Sequence, residues 1–411
     1  MNRKNILITS AIFFLITFII CSYYDCLDFY VLFLINIAIL FVVLMKKDSG
    51  KLTFIIFLQW LMYLPLLLVH KFITPMVGSG DDDLRFEILA KAFYRNYIYG
   101  TGVNAFQDST TYPKFLAFFY TLGKDHVLTA GLINITVHSI IIVLIYSVYI
   151  LVFNTRKGAS LTALLFTLYP LTMINTVLTL RELIIMLFIM LFTYFLLQYH
   201  SSKAFIYLIC ALISAGIGSL FHIGLIALFV ATGIYFLVFS NLSVFSKFLI
   251  GGISMLLVVG FVFTTSNSKI TSTLGSGETQ PTEEIKPAAR ADYITPQESA
   301  GLSSKVKQIF YFSTKPFPWE VRNISDITGF FNIVLILISF IWAILIYRTT
   351  KNKKVLLIVM IVLVSYCLFA FGTYNYGTAL RHRDKFSVLL MMFISYYLIN
   401  RKKEKIDVPK A

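Results

Sequence analysis

Apolar runs about 20 residues long recur along this chain from end to end. That is the length of helix needed to cross a bilayer core of roughly 30 Å. The feature excludes a soluble fold, because a water-facing surface needs more polar residues than this chain supplies. Of its 411 residues 58% are hydrophobic, 39 are Phe, and mean hydropathy is +0.80. The expected fold class is all-α: a polytopic integral membrane protein, with residues 1–411 forming a single transmembrane domain.

About twelve transmembrane helices are expected. They lie near residues 5–22, 28–45, 52–70, 127–153, 158–177, 180–199, 204–220, 221–239, 246–264, 328–348, 354–373 and 386–400. The run over 204–239 is too long for one helix. It is divided near Gly216, Gly218 and His222, where small residues permit a tight turn. The basic N-terminal stretch leads into an apolar run with no small-x-small cleavage site, so it reads as a retained first helix.

Lys and Arg in short loops set orientation. With Arg3 and Lys4 inside, the chain returns to the cytoplasm at Lys46 and Lys47, Arg156 and Lys157, Lys203 and Lys247. It does so again at Arg348 with Lys351, Lys353 and Lys354, and finally at Arg401, Lys402 and Lys403. These loops are almost without acid, Asp48 being an exception. Both termini are then cytoplasmic.

Two long outer loops with interfacial helices fall on the opposite face, over residues 71–126 and 265–327. In the first, GSGDDDLRFE gathers Asp81, Asp82, Asp83 and Glu87 within residues 78–87. DDDLRFEILAKAFYRNY reads as an acidic N-cap followed by an amphipathic helix. Leu84, Ile88, Ala92, Tyr94 and Arg95 are spaced to lie in the membrane interface. YPKFLAFFYTLG is apolar but too short to span, and reads as re-entrant or interfacial. The second loop opens with a Ser, Thr, Gly, Glu and Pro mixture over 264–296 that is expected to be flexible. KVKQIFYFSTKPFPWEVRN then brings back aromatics and is expected to dock on the membrane surface. Nearly all acids of the chain lie on this outer side. Charges at membrane depth cost several kcal/mol unless paired or wet, so the outer face is expected to carry the site.

Four groups there could carry chemistry. Asp81, Asp82, Asp83 and Glu87 could provide a general base or hold a divalent cation; an acidic helix cap is the plainer reading. Asp83 and Glu87 stand four residues apart, on one helix face, with Arg85 between them. Arg181 and Glu182 open a span, either as a boundary ion pair or as an anion clamp, since a guanidinium forks onto phosphate oxygens. His222 stands at a span end on the same side, as a helix-end residue or a catalytic one. Arg381, His382 and Arg383, with Asp384 and Lys385, form a basic cluster at the outer mouth of the last span. Orientation does not explain that cluster; an anionic ligand would, and so would snorkelling to lipid phosphate. His138, in mid-span, reads as buried and hydrogen-bonded.

The arginines imply a phosphate or pyrophosphate, and the acids a nucleophile needing activation. Lipid-linked sugars present both at an outer membrane face. No nucleotide-binding loop of the GxxxxGKS kind is present. The net charge of +15 sits mainly in short loops, so no nucleic-acid partner is expected. Cys21, Cys26, Cys210 and Cys367 form neither a disulfide framework nor a zinc site.

VGSGDDDLRFEILA, TYPKFLAFFYTLG and the stretch from LTLRELIIMLFIML to FHIGLIALF resemble the polysaccharide polymerases of the Wzy and EpsG-like group. That group shows a glycine-acid motif in an outer loop, then an Arg starting a helix, a short Lys-containing turn and a later His. Arg181 and His222 match this pattern, and ALRHRDKF resembles the Arg-containing start of the group's final helix. The loop over 265–327 is longer than in the EpsG-like members, and Glu182 stands where they more usually carry a neutral polar residue.

The resemblance implies a membrane glycosyltransferase. It would join undecaprenyl-pyrophosphate-linked oligosaccharide repeat units into an O-antigen, capsule or exopolysaccharide, at the outer face of the bacterial cytoplasmic membrane. Arg181, Arg381 and Arg383 would stabilise the leaving pyrophosphate, with Arg85, Glu87, Glu182 and His382 also on the substrate. Asp81, Asp82, Asp83 or His222 would supply the base. No cofactor is implied beyond an optional divalent cation at the three aspartates. The implied partners are the lipid-linked glycan, membrane lipid, a flippase and a chain-length regulator. DDDLRFEILAKAF also resembles the first outer-loop acid motif of GT-C type glycosyltransferases, which use polyprenyl-phosphate sugars. A flippase would need more mid-span polar residues than Asn134, His138 and scattered Ser and Thr. An acyltransferase would need an acid near a deep His.

Overall fold

The computed structural model describes residues 3–45, 49–105, 109–239, 243–245, 247–248, 252, 302–322 and 324–404. Among these residues the chain is helical and has no strand. In chain order the helices are α1 (Arg3–Tyr23), α2 (Leu27–Leu44), α3 (Ser49–Phe72), α4 (Asp82–Tyr99), α5 (Thr111–Gly123), α6 (Thr129–Phe153), α7 (Arg156–Thr167) and α8 (Pro170–Val177). Then come α9 (Glu182–Ser202), α10 (Phe205–Phe221), a 3-10 turn (Ile223–Ile226), α11 (Ala227–Phe239), α12 (Leu302–Thr314), α13 (Ile324–Thr350), α14 (Lys353–Phe371) and α15 (Tyr376–Glu404).

Six of these helices, α2, α3, α6, α9, α13 and α14, are long and apolar enough to cross a membrane, and the broken pair α7 and α8 adds at most one more. Several expose whole apolar faces. Phe54, Phe57 and Leu61 project from α3, and Phe331, Leu337, Ile341 and Leu345 from α13. In water such surface costs about 25 cal/mol per Å²; lipid removes the cost. The chain is a membrane-embedded helical protein.

The expected count of twelve spans is not confirmed by these six or seven; helices occupy the expected positions among the described residues, and most of 246–264 lies outside them together with most of the loop over 265–327. The run over 204–239 breaks at His222, within the stretch where its division is expected, while Gly216 and Gly218 lie inside α10. Gly218 serves close packing, since a Cβ there would come 2.8 Å from Phe188 Cβ and 2.6 Å from Leu225 Cδ1. The expected span over 158–177 is interrupted at Leu168 and Tyr169. Pro170 then opens α8; proline suits the first helical turn and drives the residue before it out of helical geometry.

The chain forms two compact units. The first comprises residues 1–143 and 172–183. Its core joins Tyr63 and Leu67 of α3 to Ile135 of α6 and Val177 of α8. Several buried polar groups there are paired. Gln59 Nε2 donates to Ile135 O (3.1 Å), Ser139 Oγ donates to Gln59 Oε1 (2.7 Å), and the Tyr63 hydroxyl meets His138 Nε2 (3.1 Å). His138 is thus buried and hydrogen-bonded, as its sequence context suggested. The helical pair α4 and α5 packs through Leu89, Phe93 and Ala117.

The second unit comprises residues 144–171 and 184–411. Here α15 packs on α13, where Trp342 and Tyr397 stack at 4.5 Å. The helix α12 from the second long loop is fastened at two points. Gln308 Nε2 donates to Phe371 O (3.2 Å) and Thr373 O (2.9 Å), at the end of α14. Arg383 Nη1, fully buried, donates to Phe312 O (2.7 Å) and Lys315 O (2.9 Å), satisfying carbonyls that the end of α12 leaves bare.

The close approach at Gly218 sets a test. Gly218→Val lowers unfolding stability in detergent by about 1–3 kcal/mol, while Gly216→Ala, whose Cβ meets only Phe229 Cζ at 3.9 Å, leaves it nearly unchanged. Thermal unfolding of the two purified variants measures both.

Candidate functional site

In the first unit, the short loop between α3 and α4 is tied at both ends. His70 Nδ1 accepts from the Met76 amide (3.1 Å). The Asp83 carboxylate accepts from the Ser79 hydroxyl and from the amides of Gly80 (2.9 Å) and Asp81 (3.1 Å). Gly78 and Gly80 have φ of 90° and 111°, a region that side chains avoid, which is why the loop reads Gly-Ser-Gly. Burial would raise the Asp83 pKa, but the hydrogen bonds from Ser79, Gly80, Asp81 and Leu84 outweigh it and hold the carboxyl below its ordinary range.

Asp81 and Asp82 point the other way. Arg85 Nη2 lies 2.8 Å from Asp81 Oδ1 and Nη1 lies 3.9 Å from Asp82 Oδ1. The three aspartates therefore do not converge. Among the described residues no group of three His, Cys, Asp or Glu side chains could hold a metal.

Glu87, one turn beyond Asp83, faces inward. Its Oε1 accepts from Lys71 Nζ of α3 and from the Thr179 hydroxyl, and Lys71 Nζ lies 3.3 Å from that hydroxyl. Thr179 belongs to a buried, non-helical turn between α8 and α9. Such a turn in apolar surroundings needs partners for its backbone. Asn134 of α6 supplies them, donating to Leu178 O (2.9 Å) and Leu180 O (3.2 Å). The next residue is Arg181. One Nη donates to the Ser109 hydroxyl, and the guanidinium lies 5.5 Å from the centre of the Phe86 ring. Glu182 is buried at the first position of α9. Tyr112 of α5 is fully buried edge-on to Phe86. Burial first, then Tyr120, Glu182 and Glu87, push its phenol well above the ordinary value, so it remains a protonated donor.

In the second unit, His222 stands between α10 and the 3-10 turn. Its Nδ1 accepts from the Gly224 amide (3.0 Å). Its ring stacks on Phe369 of α14 (4.8 Å, 14°) and meets His382 of α15 edge-on (5.0 Å, 79°). Lys385 Nζ lies 2.7 Å from His382 Nδ1 and 5.2 Å from the centre of the Phe369 ring. Arg381 is half-buried one residue before His382.

The expected site residues thus gather in two places. Asp81, Asp82, Asp83, Arg85, Glu87, Arg181 and Glu182 belong to the first unit. His222, Arg381, His382 and Arg383 belong to the second, where Arg383 holds the end of α12. The sequence reading missed Lys71, Ser109, Thr179 and Asn134 as parts of the first cluster. Lys71 had a usable signal: like the cluster at 381–385, it is a cation in a stretch expected to lie outside, where orientation does not require one. Asn134 was noted only as a polar residue in mid-span. No family model, curated protein or solved structure matches the chain.

Two predictions follow from the loop and the turn. At neutral pH, Asp83→Ala lowers stability by about 1–3 kcal/mol, the cost of buried donors left bare. A depressed carboxyl pKa stabilises fully above the unfolded value and ceases to do so as pH falls through the folded one. Wild type and Asp83→Ala therefore converge in acid, as unfolding at a series of pH values will show. Asn134→Leu strips two carbonyls of their donor and costs about 1–3 kcal/mol, with faster proteolysis near residue 180 as its local readout.

Proposed function

We propose that this chain is a polymerase of lipid-linked glycans. It joins undecaprenyl-pyrophosphate-linked oligosaccharide repeat units into a surface polysaccharide at the outer face of a bacterial cytoplasmic membrane. The observation that carries this reading is the cradle of Arg181. A guanidinium is held over Phe86, at the end of an apolar helix and beside an acid-headed helix, where neither packing nor orientation calls for one.

A sugar hydroxyl of the acceptor unit attacks the anomeric carbon of the donor chain. The new glycosidic bond forms as the bond to the donor's pyrophosphate breaks, and the lipid pyrophosphate leaves with the electron pair. Arg181 meets the negative charge that develops there; such donors contribute most when they are fixed before the reaction. The proton of the hydroxyl passes to a carboxylate. Asp83 is committed to loop amides, so Asp82, with Asp81 beside it, suits that role better; His222, whose Nδ1 lone pair accepts from the Gly224 amide, does not take the proton while that bond is held. Tyr112 and the Lys71–Glu87 pair hold the shape of the cradle. Membrane lipid, a flippase and a chain-length regulator are the partners such an enzyme would need.

The exposed aspartates at the start of α4 also favour a second reading, a GT-C type glycosyltransferase with a polyprenyl-phosphate sugar donor. Deleting the gene in its own bacterium separates the two. Under the polymerase reading, deletion leaves single repeat units on their carrier. Wild type restores long chains, while Arg181→Ala and Arg181→Lys lower chain formation by about 10²-fold at normal expression. Long chains that lack one sugar would support the second reading, and full rescue by Arg181→Ala would overturn the assigned site.

A further inference from the structure

The second unit holds two imidazoles whose ring nitrogens are already sorted by their neighbours. His222 Nδ1 accepts from a backbone amide, so a neutral His222 carries its proton on Nε2. His382 is paired differently. Its Nδ1 lies 2.7 Å from Lys385 Nζ, one turn along α15. An ammonium has three donors and no acceptor. It can approach Nδ1 at that distance only if Nδ1 offers a lone pair.

We propose that Lys385 is a positioning residue that holds His382 as the neutral imidazole with its proton on Nε2, so that His382 serves the site as a hydrogen-bond donor and not as a base. Three observations support this. Lys385 Nζ lies over Phe369, a ring face that favours the charged ammonium and so works against the burial of the side chain, which opposes the charge. Phe369 also packs edge-on to His382 (5.0 Å, 68°) and stacks on His222, so neither imidazole turns without displacing the other. Among the charged or titratable groups near His382 are His222 from the α10 junction and, adjacent on its own helix, Arg381, Arg383, Asp384 and Lys385. A second proton on His382 would set an N–H against the Lys385 ammonium, in a site that has cations on both sides of it in sequence.

A neutral imidazole in this tautomer can bond to an oxygen as negative charge develops on it, without first shedding a proton. On the polymerase reading, on which this use of the donor rests, the oxygen belongs to the pyrophosphate of the lipid carrier. The tautomer itself does not depend on that reading.

The test is nitrogen NMR of the full-length protein in detergent micelles, with 15N-labelled histidine. His382→Gln identifies the His382 signals among the six histidines. The expected wild-type spectrum shows His382 as the Nε2–H tautomer, unchanged between about pH 5 and 8. In Lys385→Met the ring titrates in that interval and its tautomers mix, while Lys385→Arg keeps the wild-type pattern. A wild-type His382 protonated on Nδ1, or doubly protonated at neutral pH, overturns the proposal, as does a Lys385→Met spectrum identical to wild type. If Lys385→Met does not fold, the wild-type tautomer and its pH response still decide. Joining of purified repeat units is measured alongside and should fall about 10²-fold in Lys385→Met. A wild-type protein with the stated tautomer that joins no units would leave the Lys385 assignment standing and remove the polymerase reading.

Discussion

A backbone amide or carbonyl left without a partner in apolar surroundings costs several kcal/mol, and this chain breaks its helices repeatedly in such surroundings. Side chains supply the missing partners at the breaks. Asn134 serves the turn before Arg181, Asp83 and His70 the loop before α4, and His222 the junction after α10. Gln308 and Arg383 serve the ends of α14 and α12. Asn352 caps α14 through Oδ1 (3.0 Å from Lys354 N), while its Nδ2 donates to Val152 O (2.8 Å) at the end of α6. Where these polar side chains sit decides where the chain may leave helical geometry.

The same constraint separates holding groups from groups that can act. Asp83 is committed to loop amides, and Arg383 to carbonyls of α12. Glu87 is engaged by Lys71 and Thr179. Each lies in a cluster that the sequence marks as functional, and each fixes the chain beside a further candidate: Asp81 and Asp82 at the head of α4, Arg181 after the turn, His382 next to Arg383. A site built this way is rigid before a substrate arrives, which is what electrostatic catalysis requires of its donors.

Buried charge is handled locally as well. The Lys71–Glu87 pair is nearly enclosed, with side-chain exposures of 8% and 17%. Such a pair contributes little net stability, but removal of one member leaves the other stranded, at about 3–5 kcal/mol. Its value lies in fixing α3 against α4 in one register. Lys385 is also fully buried, with an imidazole nitrogen and an aromatic face among its neighbours.

The sequence by itself determined the helical membrane class, the acidic head of α4 and the strangeness of the cations at 181 and 381–385. All of these follow from runs and charges read within about 20 consecutive residues, the length over which hydropathy and capping act. Tertiary structure decided the rest. It interrupted the expected span over 158–177 at Leu168 and Tyr169 and gave Gly218 to helix packing. It turned Asp83 inward and left Asp81 and Asp82 outside. It brought Lys71, Ser109, Asn134 and Thr179 to the same cluster as Glu87 and Arg181. Those partners come from distant parts of the chain: Arg181 and Ser109 are 72 residues apart, and Glu87 and Thr179 are 92. Local periodicity carries no record of such pairs, because it sets which face of a helix is polar and not which other helix will meet it.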